Sequence, residues 1–209
     1  MLAGMSVAML KDPNGHYDIL EGAAPVEFLL ERVKGVNSTI NQSEIPRDLP
    51  TFAAFVRGAM RREPSDIIIG ECRDPETMGA AIDAAITGHS VKTTAHAEDG
   101  PLTMQRVSSL LPPHERDSLL SAVAQALRMV INQRLIPSVD GRRIAIREFL
   151  VFDPALRNQF LRTDAKDWPA LTRLAIDEKG QSYRKAIERA LNAGLINEQT
   201  AAYQLRQVA

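Results

Sequence analysis

Two rhythms of apolar residues run along the chain, and their succession predicts the elements. The opening ten residues are almost continuously apolar and read as a buried helix. Residues 11–15, Lys-Asp-Pro-Asn-Gly, are dense in turn formers, 16–21 then read as a short strand, and 22–25 as another turn. Between 50 and 62 the period lengthens: Phe52, Phe55, Val56 and Met60 share one helical face, with Asp48 available as a cap and Pro64 as the stop. Asp66-Ile-Ile-Ile-Gly70 has no alternation at all. A β-branched run bounded by proline and glycine predicts a central parallel strand buried on both faces. Asp74, Pro75 and Glu76 then carry N-cap, first-turn and dipole signals for a helix that ends near Gly88. A short strand follows at 90–94. Over 119–135, Leu119, Ala122, Val123, Ala126, Val130 and Leu135 predict one long amphipathic helix, and 142–152 a strand. Strands alternating with helices imply a parallel α/β sheet. From Asp153 the pattern changes to short helices, beginning at Asp153-Pro154 and Trp168-Pro169 and spanning 182–193 and 198–207. The expected division is a core over 1–152 and a helical subdomain over 153–209, with no internal repeat.

Composition narrows the class without choosing a function. The 209 residues are 44% hydrophobic and 24% charged, the balance of an ordinary globular chain rather than a disordered one. With 25 basic and 26 acidic side chains the net charge is −1, which removes any global drive toward nucleic acid or anionic lipid. A basic tail does exist in Arg162, Lys166, Arg173, Lys185 and Arg189, but Asp164, Asp167, Asp177 and Glu188 are interspersed, so a solvated surface is favoured over a nucleic-acid module. One cysteine, Cys72, can neither staple the fold nor build a zinc site, which fits a reducing cytoplasm. The opening apolar stretch is half the length a bilayer requires, and 119–136 is interrupted by Gln125, Arg128, Asn132, Gln133 and Arg134.

Glu71 is the first candidate for chemistry. Ligands of a parallel sheet bind beyond the carboxyl ends of its strands, so an acid directly after Gly70 can project into that crevice. In nucleotide hydrolases such a carboxylate orients the attacking water or holds hydrated magnesium. The competing reading pairs Glu71 with nearby Arg73. The wider text favours the first: Arg57-Gly-Ala-Met-Arg61-Arg62-Glu63-Pro64-Ser65-Asp66 running on to Gly70-Glu71-Cys72-Arg73-Asp74-Pro75-Glu76-Thr77 resembles the arginine-rich helix and Walker B signature of secretion ATPases of the PilT, GspE and DotB type. Thr87-Gly88-His89-Ser90-Val91-Lys92-Thr93-Thr94-Ala95-His96 is similar to their histidine box, and Pro25-Val26-Glu27-Phe28 to the end of their acidic box. The resemblance covers nearly the whole chain. The loop at 11–16 and the region 178–182 look closest to the DotB and conjugal TraJ branch, which implies type IVB secretion or conjugation.

This resemblance implies a RecA-like parallel sheet flanked by helices, lacking the phosphate-loop strand and followed by the helical subdomain. It implies ATP and Mg2+ as cofactors, Glu71 and His96 as catalytic residues, Glu71 also toward the metal, and Arg57, Arg61, Gly70 and Glu27 around the nucleotide. Guanidinium groups suit phosphate because they stay ionised and present a rigid fork of donors. The implied setting is a hexameric homo-oligomer in the cytoplasm, held at the inner membrane by secretion or pilus assembly proteins, with no direct nucleic-acid contact.

Two departures bear on function. No Gly-x-x-x-x-Gly-Lys-Ser/Thr loop occurs in the sequence, and the reading frame is expected to start inside the helix that follows such a loop. Ala23 and Ala24 stand where the family's acidic box carries its glutamate, leaving that role vacant unless Glu21 or Glu27 fills it. The expected function is the C-terminal part of a motor ATPase coupling hydrolysis to substrate transfer or pilus dynamics. The alternative is a catalytically inactive fragment or assembly subunit.

Overall fold

The computed structural model of the chain describes residues 1–208. It contains two compact units, one formed by Met1–Ala95 with Ser108–Ala126, the other by His96–Val107 with Leu127 onward.

The first unit is built on four parallel strands, β1 (Asp18–Ala23), β2 (Thr39–Glu44), β3 (Asp66–Ile69) and β4 (Ser90–Thr93), in the spatial order β2-β1-β3-β4. The expected parallel sheet is present, and the isoleucine run of β3 lies inside it with Ile67, Ile68 and Ile69 all 0% exposed. Register explains why that run does not alternate. Leu20 and Ile67 pair and face α2 (Phe52–Met60) and α3 (Pro75–Ile86), together with Phe55, Val56, Ala81 and Ala84. One residue on, Ile68 turns to the other face, among Leu10 of α1 (Leu2–Lys11), Ile19, Leu30 and Ile40. Both faces are covered, so both need apolar side chains.

The helix starts follow local chemistry. Asp74 caps α3 by accepting the Thr77 N–H at 2.8 Å, with Pro75 in the first turn. Helix α2 is capped by Thr51, which accepts from the Ala54 N–H at 3.1 Å, not by Asp48. Asp48 instead accepts from the Glu44 N–H and pairs with Arg47, whose hydrogen bond holds its carboxyl down at about 2. A strand unmarked in the apolar pattern, β2, has only Ile40 fully turned inward, among polar Thr39, Asn41, Gln42, Ser43 and Glu44.

The single long helix expected over 119–135 does not form. Helix α5 (Arg116–Ala126) ends before it, and Met129–Pro137 is strand β5, paired antiparallel with β6 (Arg143–Val151) in a sheet of its own. Val130, Asn132 and Ile136 are buried with exposed Met129, Leu135 and Pro137 among them, a pattern close to period two that the coincident helical stripe concealed. Around this hairpin the second unit packs α6 (Pro154–Arg162), α7 (Trp168–Lys179), α8 (Tyr183–Asn192) and α9 (Glu198–Arg206). Its core includes Ile136, Ile146, Tyr183, Ile187 and Ile196. Helix α4 (Gly100–Leu110), also unmarked in the sequence reading, begins in this unit.

Candidate functional site

In the first unit the ends of three strands build one carboxyl-terminal crest. Register aligns Gly22 of β1 with Ile69 of β3, and Ile69 with Thr93 of β4. The Gly70 N–H continues the ladder by donating to Gly22 O at 2.7 Å, while Gly70 O accepts from the Thr94 Oγ1 at 2.6 Å and the Cys72 N–H donates to Thr94 O at 2.9 Å. Glycine at position 70 reflects close approach, since a Cβ there would stand 3.2 Å from Ala23 Cα and from Gly22 O. These bonds fix the backbone on both sides of Glu71. Its side chain is half-buried, and Glu71 Oε2 lies 3.5 Å from the Arg73 guanidinium, so the ion pair weighed in the sequence is formed. The carboxylate thus sits just beyond the strand end with a largely exposed cation beside it. Such a pair contributes little to stability and leaves the acid able to exchange partners.

The other candidates are spread more widely. Arg57 projects from α2 and meets Glu76 of α3 at 3.0 Å, both side chains more than half exposed. Their pair borders a groove of about 330 Å3, which also includes Met60, Gly79, Asp83, Pro112 and Glu115. Arg61 is the exposed C-cap of α2, and Glu27 is exposed in the loop after β1. His96 is exposed with φ +45°, a left-handed backbone that side chains other than glycine adopt at a cost. The structure brings Gly70 and Glu71 together on the crest and sets Arg57 against Glu76.

Sequence reasoning passed over what Glu21 does. It is buried on β1, opposite Gln42 of β2, whose Nε2 donates to Glu21 Oε2 at 2.7 Å and to Phe28 O at 2.9 Å. Gln42 Oε1 in turn accepts the Leu30 N–H at 2.7 Å. Through Gln42, Glu21 is thus tied to the loop after β1. Burial pushes its carboxyl above the ordinary 4.5, with the hydrogen bond from Gln42 opposing the rise. A raised value in the fold means that stability from the bound proton is full below the unfolded value and is lost as pH rises through the folded one. Glu21→Gln keeps an oxygen for Gln42 and removes the buried charge. It is expected to raise stability at pH 7 by about 1 kcal/mol, a few degrees in Tm. The gain should vanish near pH 4 when melting curves of the two proteins are compared, and a gain unchanged across that range would refute the assignment.

A second polar cluster, also unmarked in the sequence, lies in the other unit around Glu148 of β6. This carboxylate is 1% exposed, accepts from the Gly100 N–H at 2.8 Å, and lies 3.5 Å from Arg173 of α7. Burial raises its value, while the Gly100 N–H and the Arg173 charge act against the rise. An acid at an inward strand position was the available signal.

Comparison with known proteins gives a consistent kinship. Residues 7–141 match the family described as type II/IV secretion system protein. Over 143 residues the chain is 37% identical to the type IV pilus retraction ATPase PilT of Pseudomonas aeruginosa, covering 68% of this chain and 41% of that protein. The X-ray structure of the Legionella pneumophila ATPase DotB superposes with a TM-score of 0.92 at 35% identity, over 99% of this chain and 56% of that one. The pilus retraction motor PilT with bound ADP gives 0.80 at 28% identity, over 97% and 56%. The chain thus spans about half the length of the relatives it matches.

Proposed function

The chain belongs to the type II/IV secretion system protein family, and on that footing we propose that it supplies the Walker B and histidine-box portion of a motor ATPase driving secretion or pilus dynamics. The fold is that of the RecA-like secretion ATPases, and the relatives are ATPases of type IV pili and secretion. The observation that carries the reading is Glu71, directly beyond the carboxyl end of an interior parallel strand whose backbone is bonded on both sides. That is where open α/β sheets receive ligands.

The donor set fits a magnesium nucleotide in one respect. Magnesium keeps most of its waters and takes one or two carboxylates plus phosphate oxygens, so a single glutamate suffices. No cluster of three or more His, Cys, Asp or Glu side chains able to hold a bare metal occurs among the described residues. When bound, the hydrated ion would neutralise charge on the phosphates. Glu71 would hold its water shell, His96 would meet a phosphate oxygen, and Arg57 and Arg61 are exposed cations for phosphate or for a neighbouring subunit, with Gly70 and Glu27 at the margins. We place the working form in a hexameric ring, attached to inner-membrane assembly proteins. Among the described residues no helix is long and apolar enough to cross a membrane.

Melting curves with Mg-ADP and Mg-ATP test this reading. A ligand that binds only the folded state stabilises by about 2.7 kcal/mol at a hundred times its Kd. The wild-type chain should gain several degrees, and Glu71→Gln or His96→Ala should lose most of that gain while keeping the unliganded Tm. A flat wild-type response favours the second reading, a non-catalytic assembly subunit. One sequence feature supports that alternative: Ala23 and Ala24 stand where the resemblance expects the box acid.

A further inference from the structure

Four consecutive residues directly after His96 are each tied to a different element of the same unit. Ala97 O accepts from Asn132 Nδ2 of β5 at 3.0 Å, and Glu98 O from the Tyr183 hydroxyl of α8 at 3.3 Å. The Asp99 carboxylate pairs with Arg173 of α7 at 2.7 Å, and the Gly100 N–H donates to Glu148 of β6 at 2.8 Å. Arg173 also reaches Glu148 at 3.5 Å, so one guanidinium links the side chain of residue 99 to the acceptor of residue 100. Packing reinforces the bonds. A Cβ at Gly100 would stand 2.6 Å from Ile176 Cδ1 and 3.3 Å from Thr172 Cγ2, so α7 lies directly on the start of α4. Burial pushes the Tyr183 hydroxyl up to about 12, which keeps it a donor throughout the neutral range.

His96 immediately precedes this anchored stretch and holds φ +45°. A histidine in left-handed backbone persists only where its surroundings over-determine it. Residues 97–100, directly after it, are fixed within its own unit. Those four tethers constrain the backbone on the carboxyl side of His96.

We propose that Asn132, Glu148, Arg173 and Tyr183 are positioning residues for His96, fixing residues 97–100 so that the imidazole is presented in one direction. The inference deepens the reading of His96 as a phosphate-contacting residue and rests on it for its functional meaning. It makes helices α7 and α8, far along the sequence, part of the histidine-box apparatus.

The test uses the whole chain with labelled histidine, whose four imidazoles are His16, His89, His96 and His114. In Arg173→Met the His96 ring signals should shift or broaden while the other three stay in place. Amide exchange over 97–103 should accelerate at least about tenfold, the scale set by losing one charge-assisted bond. Arg173→Lys, which keeps the charge and loses the fork, should fall between. Tyr183→Phe, removing one oxygen only, gives a milder shift of the same signals and serves if Arg173→Met fails to fold. Lys166→Ala, an exposed control, should move none of them. Folded variants with unmoved His96 signals would overturn the inference, since an ion pair that merely stabilises α7 changes Tm and leaves that ring alone. Neither measurement contains nucleotide, so a flat nucleotide response would remove the phosphate reading and leave this result readable.

Discussion

Ile68→Ala is expected to cost about 2–5 kcal/mol of stability, a large part of the roughly 5–15 kcal/mol available to a domain. Ile68 is fully buried in the middle of β3, and its side chain meets Leu10, Ile19, Leu30 and Ile40 beneath α1. Removing three carbons there deletes their burial and leaves a hole that the sheet cannot close, because β3 is held between β1 and β4. The prediction extends to its neighbours. Ile67→Ala and Ile69→Ala should be similarly costly, since they face Phe55, Val56 and Ala81 on the opposite side. Urea unfolding of the three variants measures this directly. A strand covered on one face would show a tolerant residue between two sensitive ones. Finding Ile68→Ala within about 0.5 kcal/mol of wild type, as surface substitutions are, would show that α1 does not cover this face, and the crest carrying Glu71 would lose half its support.

The isoleucine run was legible because burial on both faces leaves a mark in the sequence itself: no polar residue interrupts it. The Asp74-Pro75 start of α3 was legible for a similar reason, as capping is a local transaction between a side chain and an amide three residues on. What escaped was decided at a distance. In β2 the polar side chains earn their place through partners elsewhere, Gln42 with Glu21 and Leu30, Thr39 with Asp18. In β5 the apolar positions happened to satisfy a helical stripe continuing from α5, and only pairing with β6 selects the strand.

The candidate site divides along the same line. Position told where Glu71 would emerge, because a strand of known direction has a known carboxyl end. Its ion pair with Arg73 is local and was foreseeable. The hydrogen bond between Glu21 and Gln42 depends on the register of two strands, its partners lying 21 residues apart, and has no local signature. Residues 97–100 are more extreme. Their partners are 35 to 85 positions away, and nothing in Ala-Glu-Asp-Gly announces four tethers.

Phe160→Ala is expected to be the most damaging single truncation in the second unit, at about 3–5 kcal/mol. The ring is 1% exposed and stands edge-on to Phe152 at 5.1 Å and to Trp168 at 5.2 Å, so it is the middle member of a three-ring chain. Edge-to-face pairs add about 0.5–1.5 kcal/mol beyond area burial, and both would be lost together. The damage should reach the hydrogen bonds as well. Trp168 Nε1 donates to Phe160 O at 3.2 Å and to Thr163 O at 3.1 Å, and those carbonyls belong to the end of α6 that the Phe160 side chain anchors. Trp168 is the chain's only tryptophan, which makes its emission a direct reporter on this stack. In Phe160→Ala the emission should move to longer wavelength as water reaches the indole, and its urea midpoint should fall in proportion to the lost stability. Phe160→Leu, which refills most of the volume without a ring, should recover more than half of the loss. If alanine at this position leaves both the emission maximum and the midpoint near wild type, α6 does not pack on α7 through these rings, and the start of α7, the helix that carries Arg173, must be held by other contacts.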